Sequence, residues 1–231
     1  MAARGTAKRR FEGEGRMSTL IAPTPEAGSK PAQILEAASK LFLENGYGAV
    51  SMDSVARTAN VSKATLYAHF RSKEELFRAM VACECQQHAQ ATIWEEAKRM
   101  ELTEGLRLLG RRFAQLVTSP KALAGHRMVV AEAIRFPELA HAFYESGPAR
   151  SLAQMAEFMA DADRRGLLSI PEPQLAAEQF YGMIKSHLHM RLLLGLGVPP
   201  SQDQIDHLVD SAATLMVKGY ARRPDPAANP G

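Results

Sequence analysis

From Ser29 to Tyr220 the apolar residues recur at three- and four-residue intervals, and the gaps between recurrences fall on residues that start or stop helices. No stretch shows the sustained apolar–polar alternation of a half-buried strand. The chain is therefore expected to be all-α. Ser29-Lys30-Pro31 sets a capping serine ahead of an early proline; Ile34, Leu35, Ala38, Leu41 and Phe42 follow in phase, and Asn45-Gly46 supplies a left-handed stop. A short helix behind Ser51 carries Met52, Val55, Ala56 and Ala59 and ends at Asn60. Another opens at Ser62 and reaches His69 or Phe70. Ser72 with Glu75 is a capping box, and the helix behind it is expected to run through Phe77, Met80 and Val81 toward Trp94. Further helices are expected over 102–117, 122–135, 139–165 (with a kink or break at Gly147-Pro148), 175–196 and, behind the capping pair Ser201 and Gln204, up to Tyr220.

Composition narrows the function classes. Hydrophobic residues make up 46% and aromatic residues only 6%, a balance that suits helix packing better than a β-sandwich. The nearest candidate for a membrane span, Met190 to Val198, falls well short of the roughly 20 residues of a membrane helix, and Met1 to Arg16 lack the apolar core of a secretory leader. A cytoplasmic protein with no membrane contact is expected. Cys83 and Cys85 lie on different faces of a helix, and with His88 they fall short of a four-ligand metal site, so reduced, structural cysteines and no metal or cofactor are expected. Charge is uneven: residues 1–80 hold twelve Lys and Arg against eight Asp and Glu, whereas the rest is slightly acidic. Positive charge in the N-terminal part favours a polyanionic partner. Four regions follow: a basic arm over 1–28, disordered by composition and containing an alternative start at Met17; a helix-turn-helix over 29–76; a helical body over 77–221; and a Pro- and Ala-rich tail over 222–231.

The chemistry-bearing stretch is SMDSVARTANVSKATLYAHFRSKEE, Ser51 to Glu75. Two short helices joined by a tight turn make a helix-turn-helix, with Val55, Ala56 and Ala59 facing Leu66 and Phe70 across the seam. Val61 and Leu66 are spaced as a hydrophobic staple around the Ser62 cap. Lys63, Ala64, Thr65, Tyr67 and His69 are then left outside, an unusual set for a merely solvated face. Against DNA it makes sense: Lys63 and the first N–H groups meet phosphates, Thr65 reaches a base edge or a thymine methyl, and Tyr67 and His69 donate to phosphate oxygens. Lys73 and the Ser51 hydroxyl are placed for further phosphate contacts. The plainer alternatives are that Ser62 only caps and Tyr67 only packs on the next helix.

The run Val61-Ser-Lys-Ala-Thr-Leu-Tyr-Ala-His-Phe-Arg-Ser-Lys-Glu-Glu-Leu76, with Ile34-Leu35-x-x-Ala-x-x-Leu-Phe, Gly46-Tyr47 and Val55-Ala56, resembles the DNA-binding domain of the tetracycline-repressor (TetR) family. Asn60 stands where that family often has glycine; both tolerate a left-handed turn. The stretches Glu132 to Ala140, Phe143 to Pro148 and Gly182 to Lys185 are similar to the C-terminal domains of efflux- and metabolite-sensing members. The resemblance implies about nine helices per subunit, the last two (Leu175 to Leu196 and Gln202 to Tyr220) forming a four-helix bundle across a two-fold axis. It also implies a homodimer whose recognition helices, about 34 Å or somewhat more apart, read a palindromic operator.

Residues on the helices that surround the family's effector pocket are Phe113, Met128, Phe143, Met155, Phe158, Met159, Phe180, Met183 and His187. Met and Phe at this spacing are equally at home in an ordinary core. The set favours a small apolar or amphipathic effector, with His187 and His189 able to hydrogen-bond it. Effector binding is expected to act through the fourth helix, from Glu74, on the spacing of the DNA-binding heads. No catalytic set appears: Gly195-x-Gly197 lacks a preceding strand, and no Ser/His/Asp, Cys/His or metal pair has meaningful spacing. The alternative to an effector-released repressor is an architectural DNA-binding protein without an effector, which would carry more basic surface than a net +3.

Overall fold

The computed structural model describes residues 25–26, 28–88 and 91–222. Eleven helices are present among them: α1 (Lys30–Ala49), α2 (Met52–Thr58), α3 (Lys63–His69), α4 (Lys73–His88), α5 (Ala91–Arg99), α6 (Leu102–Thr118), α7 (Pro120–Glu132), α8 (Pro137–Ser146), α9 (Pro148–Arg164), α10 (Pro173–Leu193) and α11 (Gln202–Gly219). They outnumber the helices expected from sequence because the run toward Trp94 divides into α4 and α5, putting Trp94 on α5, and Gly147-Pro148 separates α8 from α9. A capping serine and a proline in the first turn start α1 and α7 alike, so Ser119-Pro120 both ends α6 and opens α7.

Helices α1 to α3 form a head around Ile34, Phe42, Val55, Leu66 and Phe77. The same apolar cluster continues into Val129 of α7 and Leu139 and Ala142 of α8. Head and body therefore share one core, and the boundary at residue 77 is not a gap in packing. A second cluster, built on Leu106, Met155, Phe158, Met159, Phe180 and Val209, holds α6, α9, α10 and α11 together. Arg107–Asp210 (2.8 Å) and Arg111–Asp206 (2.6 Å) tie α6 to α11 at its edge.

The joint between head and body is built at Gly46. Its φ of +77° ends the regular part of α1, and a Cβ there would meet Glu132 Oε1 at 2.6 Å. The φ favours glycine, and a Cβ would also push the Glu132 carboxylate aside. Glu132 accepts the Gly48 N–H at 3.2 and 3.3 Å through its two oxygens. Tyr47 packs edge-on against Phe136 and Phe77 and stacks on Phe42. Burial, with Glu138, Glu74 and Glu132 adding to it, pushes the Tyr47 hydroxyl up to about 12, so it stays neutral.

At the far end of the body, Arg222 (assigned from sequence to the tail) is held by the Leu168 and Asp163 carbonyls at 3.1 and 3.2 Å. Residues 1–24 with their basic side chains, and the remainder of the tail from 223, lie outside the described residues. Neither Cys83 nor Cys85 is in a disulfide, and burial pushes the Cys85 thiol up to about 11, which keeps it protonated and unreactive. Among the described residues no helix is long and apolar enough to cross a membrane.

Candidate nucleic-acid interface and sensing region

Local signals build the head's outer face. Ser51 and Ser54 cap α2 reciprocally, each hydroxyl accepting the other's backbone N–H at 3.1 Å. At the far end of α2, Asn60 takes φ +51°, and the Val61 and Asn60 N–H groups return to the Ala56 and Arg57 carbonyls at 3.0 and 3.1 Å. This closure turns the chain into α3. Ser62 then caps α3 by accepting the Thr65 N–H at 3.0 Å, and the two hydroxyls share a 2.8 Å bond. Leu66 is fully buried and Phe70 nearly so, while Val61 packs partly against the same core.

With that seam closed, Ser51, Ser62, Lys63, Ala64, Tyr67 and His69 are exposed and Thr65 is half-exposed. Tyr67, 42% exposed, is the one large aromatic of the head left open, so it does not pack away on α4. Lys63 Nζ is bridged to Asp53 at 2.9 Å in solvent. An exposed pair of this kind is weak, and a phosphate can replace the carboxylate.

Lys73 departs from the sequence reading. Its ammonium turns inward, donating to the Tyr47 and Val50 carbonyls at 2.9 and 3.1 Å and lying 4.3 Å over the Tyr47 ring. Burial lowers its pKa. Lys73 thus closes the end of α1, with one of its three N–H donors uncommitted, and is not a side chain extended toward a phosphate. The sequence could not show this because the partners lie 23 and 26 residues away.

The body scatters the other candidate residues. Phe113 stacks on Tyr181 with centroids 3.7 Å apart and lines a cavity of about 30 Å³ together with Trp94, Leu109, Leu116 and Ser151. Met155, Met159, Phe158 and Phe180 are core residues, and Met183 packs at the edge of that core. Met128 and Phe143 pack against the other cluster, beneath the head. His187 is exposed. A regular helix would carry Phe180, Ile184 and His187 on one face. Ser186 breaks the helix with φ +39° and ψ −155°, and beyond it His189 and Leu192 are the buried positions. The imidazole that enters the body is therefore His189.

Sequence reasoning missed Trp94, Ser151, Tyr181, Lys185 and His126 as a set. The Trp94 Nε1–H is buried without a hydrogen-bond partner among the described residues. Ser151 Oγ and the Tyr181 hydroxyl are 3.1 Å apart, and burial holds the Tyr181 pKa far above its ordinary value. Lys185 lies 5.9 Å over the Phe113 ring, and the His126 and His189 rings are 5.7 Å apart. The one sequence signal was the four-residue spacing of Tyr181 and Lys185, which lie before the break at Ser186.

Known proteins share both parts. Residues 34–80 match the bacterial regulatory proteins of the tetR family, and residues 104–222 match the C-terminal domain of AefR-like transcriptional repressors. The HTH-type transcriptional regulator UidR of Escherichia coli K12 is 30% identical over 148 residues, which span 62% of this chain and 71% of UidR. Among solved structures, the flavonoid-responsive regulator FrrA matches with a TM-score of 0.69 at 33% identity, over 85% of this chain and all of its own. A TetR transcriptional regulator from Agrobacterium tumefaciens matches with a TM-score of 0.68 at 25% identity, over 83% of this chain and 95% of its own. These relatives are transcription regulators and not enzymes. With the head matched to one part of the family and more than half the chain to the other, this protein belongs to the tetR family of bacterial regulatory proteins.

Proposed function

We propose that this DNA-binding regulator is a cytoplasmic homodimeric repressor that leaves a palindromic operator when a small amphipathic effector enters its body. The head, 29–76, meets DNA through Ser51, Ser62, Lys63, Ala64, Thr65, Tyr67 and His69, and the body, 77–221, holds effector and dimer contacts. The observation that carries the reading is the exposed set on α3, with Tyr67 open to solvent above a seam sealed by Leu66 and Phe70. For the dimer, α10 leaves Leu175, Met190 and Leu194 exposed and α11 leaves Leu215 exposed, apolar surface that a two-fold bundle of these helices would cover. The body's wall of Phe113, Tyr181, Trp94 and Leu109 supports an apolar or amphipathic effector. A cavity of about 30 Å³ is far below the ~300 Å³ or more of a typical ligand pocket, so effector entry must part the Phe113–Tyr181 stack.

Fluorescence anisotropy against duplexes from the gene's own upstream region, at near-physiological salt, tests the reading. One palindromic fragment is expected to bind tightly, and Tyr67→Ala and Lys63→Ala to weaken it by about 1–3 kcal/mol each with the dimer intact. Equal binding to every fragment, collapsing as salt rises, would instead mark an architectural protein. Loss of folding in both variants would overturn the surface placement of these side chains.

A further inference from the structure

Three basic side chains lie within electrostatic reach of one another in the body, two of them with their rings 5.7 Å apart. Lys185 of α10 is half-buried over the face of Phe113 of α6. His189, one turn further along α10 and 7% exposed, faces His126 of α7 at 5.7 Å, and His126 lies against Phe143 of α8 at the same separation. Arg127, next to His126, donates to the Leu192 and Leu193 carbonyls at 3.1 and 3.3 Å, which fixes α7 against the end of α10.

The charges felt by these groups are their own. Lys185 lowers the pKa of both imidazoles, His126 adds to the effect on His189, and burial lowers all three. Among the described residues no carboxylate contributes to any of them, and the Lys185 ammonium makes no hydrogen bond or ion pair. Elsewhere the body pairs partly buried cations, Arg107 with Asp210 and Arg111 with Asp206. A partly buried cation without its anion carries a desolvation cost that an arriving anion can offset.

We infer that Lys185, His126 and His189 form an anion-recognising subsite, and that the effector is an amphipathic acid whose carboxylate sits among them while its apolar body runs along Phe113 toward Trp94. The inference rests on the effector-responsive reading above and names the class of effector. The chemistry suits the site: an ammonium and two imidazoles, each with a ring N–H, can donate to a carboxylate's two oxygens, and aromatic walls strengthen those contacts by excluding water. A neutral molecule of the same shape would leave the lysine as unmatched as before.

Trp94 is the chain's single tryptophan and lines the adjoining cavity, so its emission reports occupancy. The full chain is titrated at neutral pH with decanoate and with decan-1-ol, probes of equal length that differ in charge. Decanoate is expected to bind roughly tenfold or more tightly than the alcohol. Lys185→Met should abolish that preference and Lys185→Arg should keep most of it; if Lys185→Met folds poorly, His126→Gln with His189→Gln carries the same expectation. Equal binding of the two probes, a preference that survives Lys185→Met, or no binding of either probe would each overturn the inference. Operator binding is measured separately on the same protein. If it persists in any of those cases, the regulator reading stands without the anion subsite; if it fails while the carboxylate preference holds, the subsite stands without the regulator.

Discussion

In the head, Lys63 stands in solvent, bridged to Asp53 at 2.9 Å, whereas in the body Lys185 is half-buried over an aromatic ring with no carboxylate beside it. The two lysines have the same pKa when free and face opposite energetics here. Lys63 keeps its hydration and already has an anion, so meeting a phosphate exchanges one weak pair for another. Its contribution is small and screened by salt, and a head built this way gains affinity only by adding many such contacts across a groove. Lys185 has lost hydration without gaining a partner, so one arriving anion restores more. Recognition is spread over a surface at one end of the molecule and concentrated at a point at the other.

The widest separation between the two kinds of residue within the head itself should come from Leu66→Ala and Lys63→Ala. Leu66 is fully buried beneath α3, and its truncation is expected to cost about 2–5 kcal/mol and to abolish operator binding with the fold of the head. Lys63→Ala should leave stability within about 0.5 kcal/mol while weakening DNA binding. Urea unfolding followed by circular dichroism separates them. Comparable destabilisation by both would mean that Lys63 supports the fold and that the matched, solvent-borne cation is a misreading.

The head's face was legible in the sequence because its determinants are local. The Ser51 and Ser62 caps, the Asn60 turn and the Val61–Leu66 staple all act within a few residues, and each has a chemical signature. The body's interior depends on events with no such signature. The break at Ser186 exchanges His187 for His189, and serine is not a residue that announces φ +39°. Lys73 turns inward because Tyr47 and Val50 present carbonyls to it, and Gly48 finds its acceptor 84 residues away at Glu132. Apolar periodicity told which residues are buried and left open whether the buried Met155 and Phe180 line a pocket or only fill the core.

Glu132 sharpens the comparison at the place where the two regions meet. It lies six residues beyond His126 on α7, the middle of the helix reaching the basic cluster and its C-terminal end accepting the Gly48 N–H at the end of α1. A displacement of α7 by an anion would therefore reach the head here as well as through α4. Glu132→Ala removes a charged acceptor from a half-exposed site and is expected to cost about 1 kcal/mol. Hydrogen exchange should accelerate at Gly48 and Val50 while protection within α2 and α3 is retained. Unchanged exchange at Gly48 would remove Glu132 from the joint.

The last expected effect is a pH dependence that belongs to the body alone. Burial, then Lys185, then His126 holds His189 down to about 4 from an ordinary 6.5, and His126 is lowered by burial and Lys185. The folded protein thus resists a proton that the unfolded chain accepts near 6.5. Between about pH 6.5 and about pH 4 the unfolded state binds more protons, so stability is complete above that window and declines as pH falls through it. Glu101 and Asp206, held below their ordinary 4.5 and 3.8 by hydrogen bonds, act only at the acid edge or beyond it. Urea midpoints followed by Trp94 emission across the window should decline with falling pH in the wild type and decline less in His126→Gln/His189→Gln. Adding decanoate should oppose the decline, because a carboxylate among these groups favours their protonated forms. An equal decline in the double variant would show that the imidazoles titrate as they do in solvent, and the contrast between a matched head and an unmatched body would then rest on Lys185 alone.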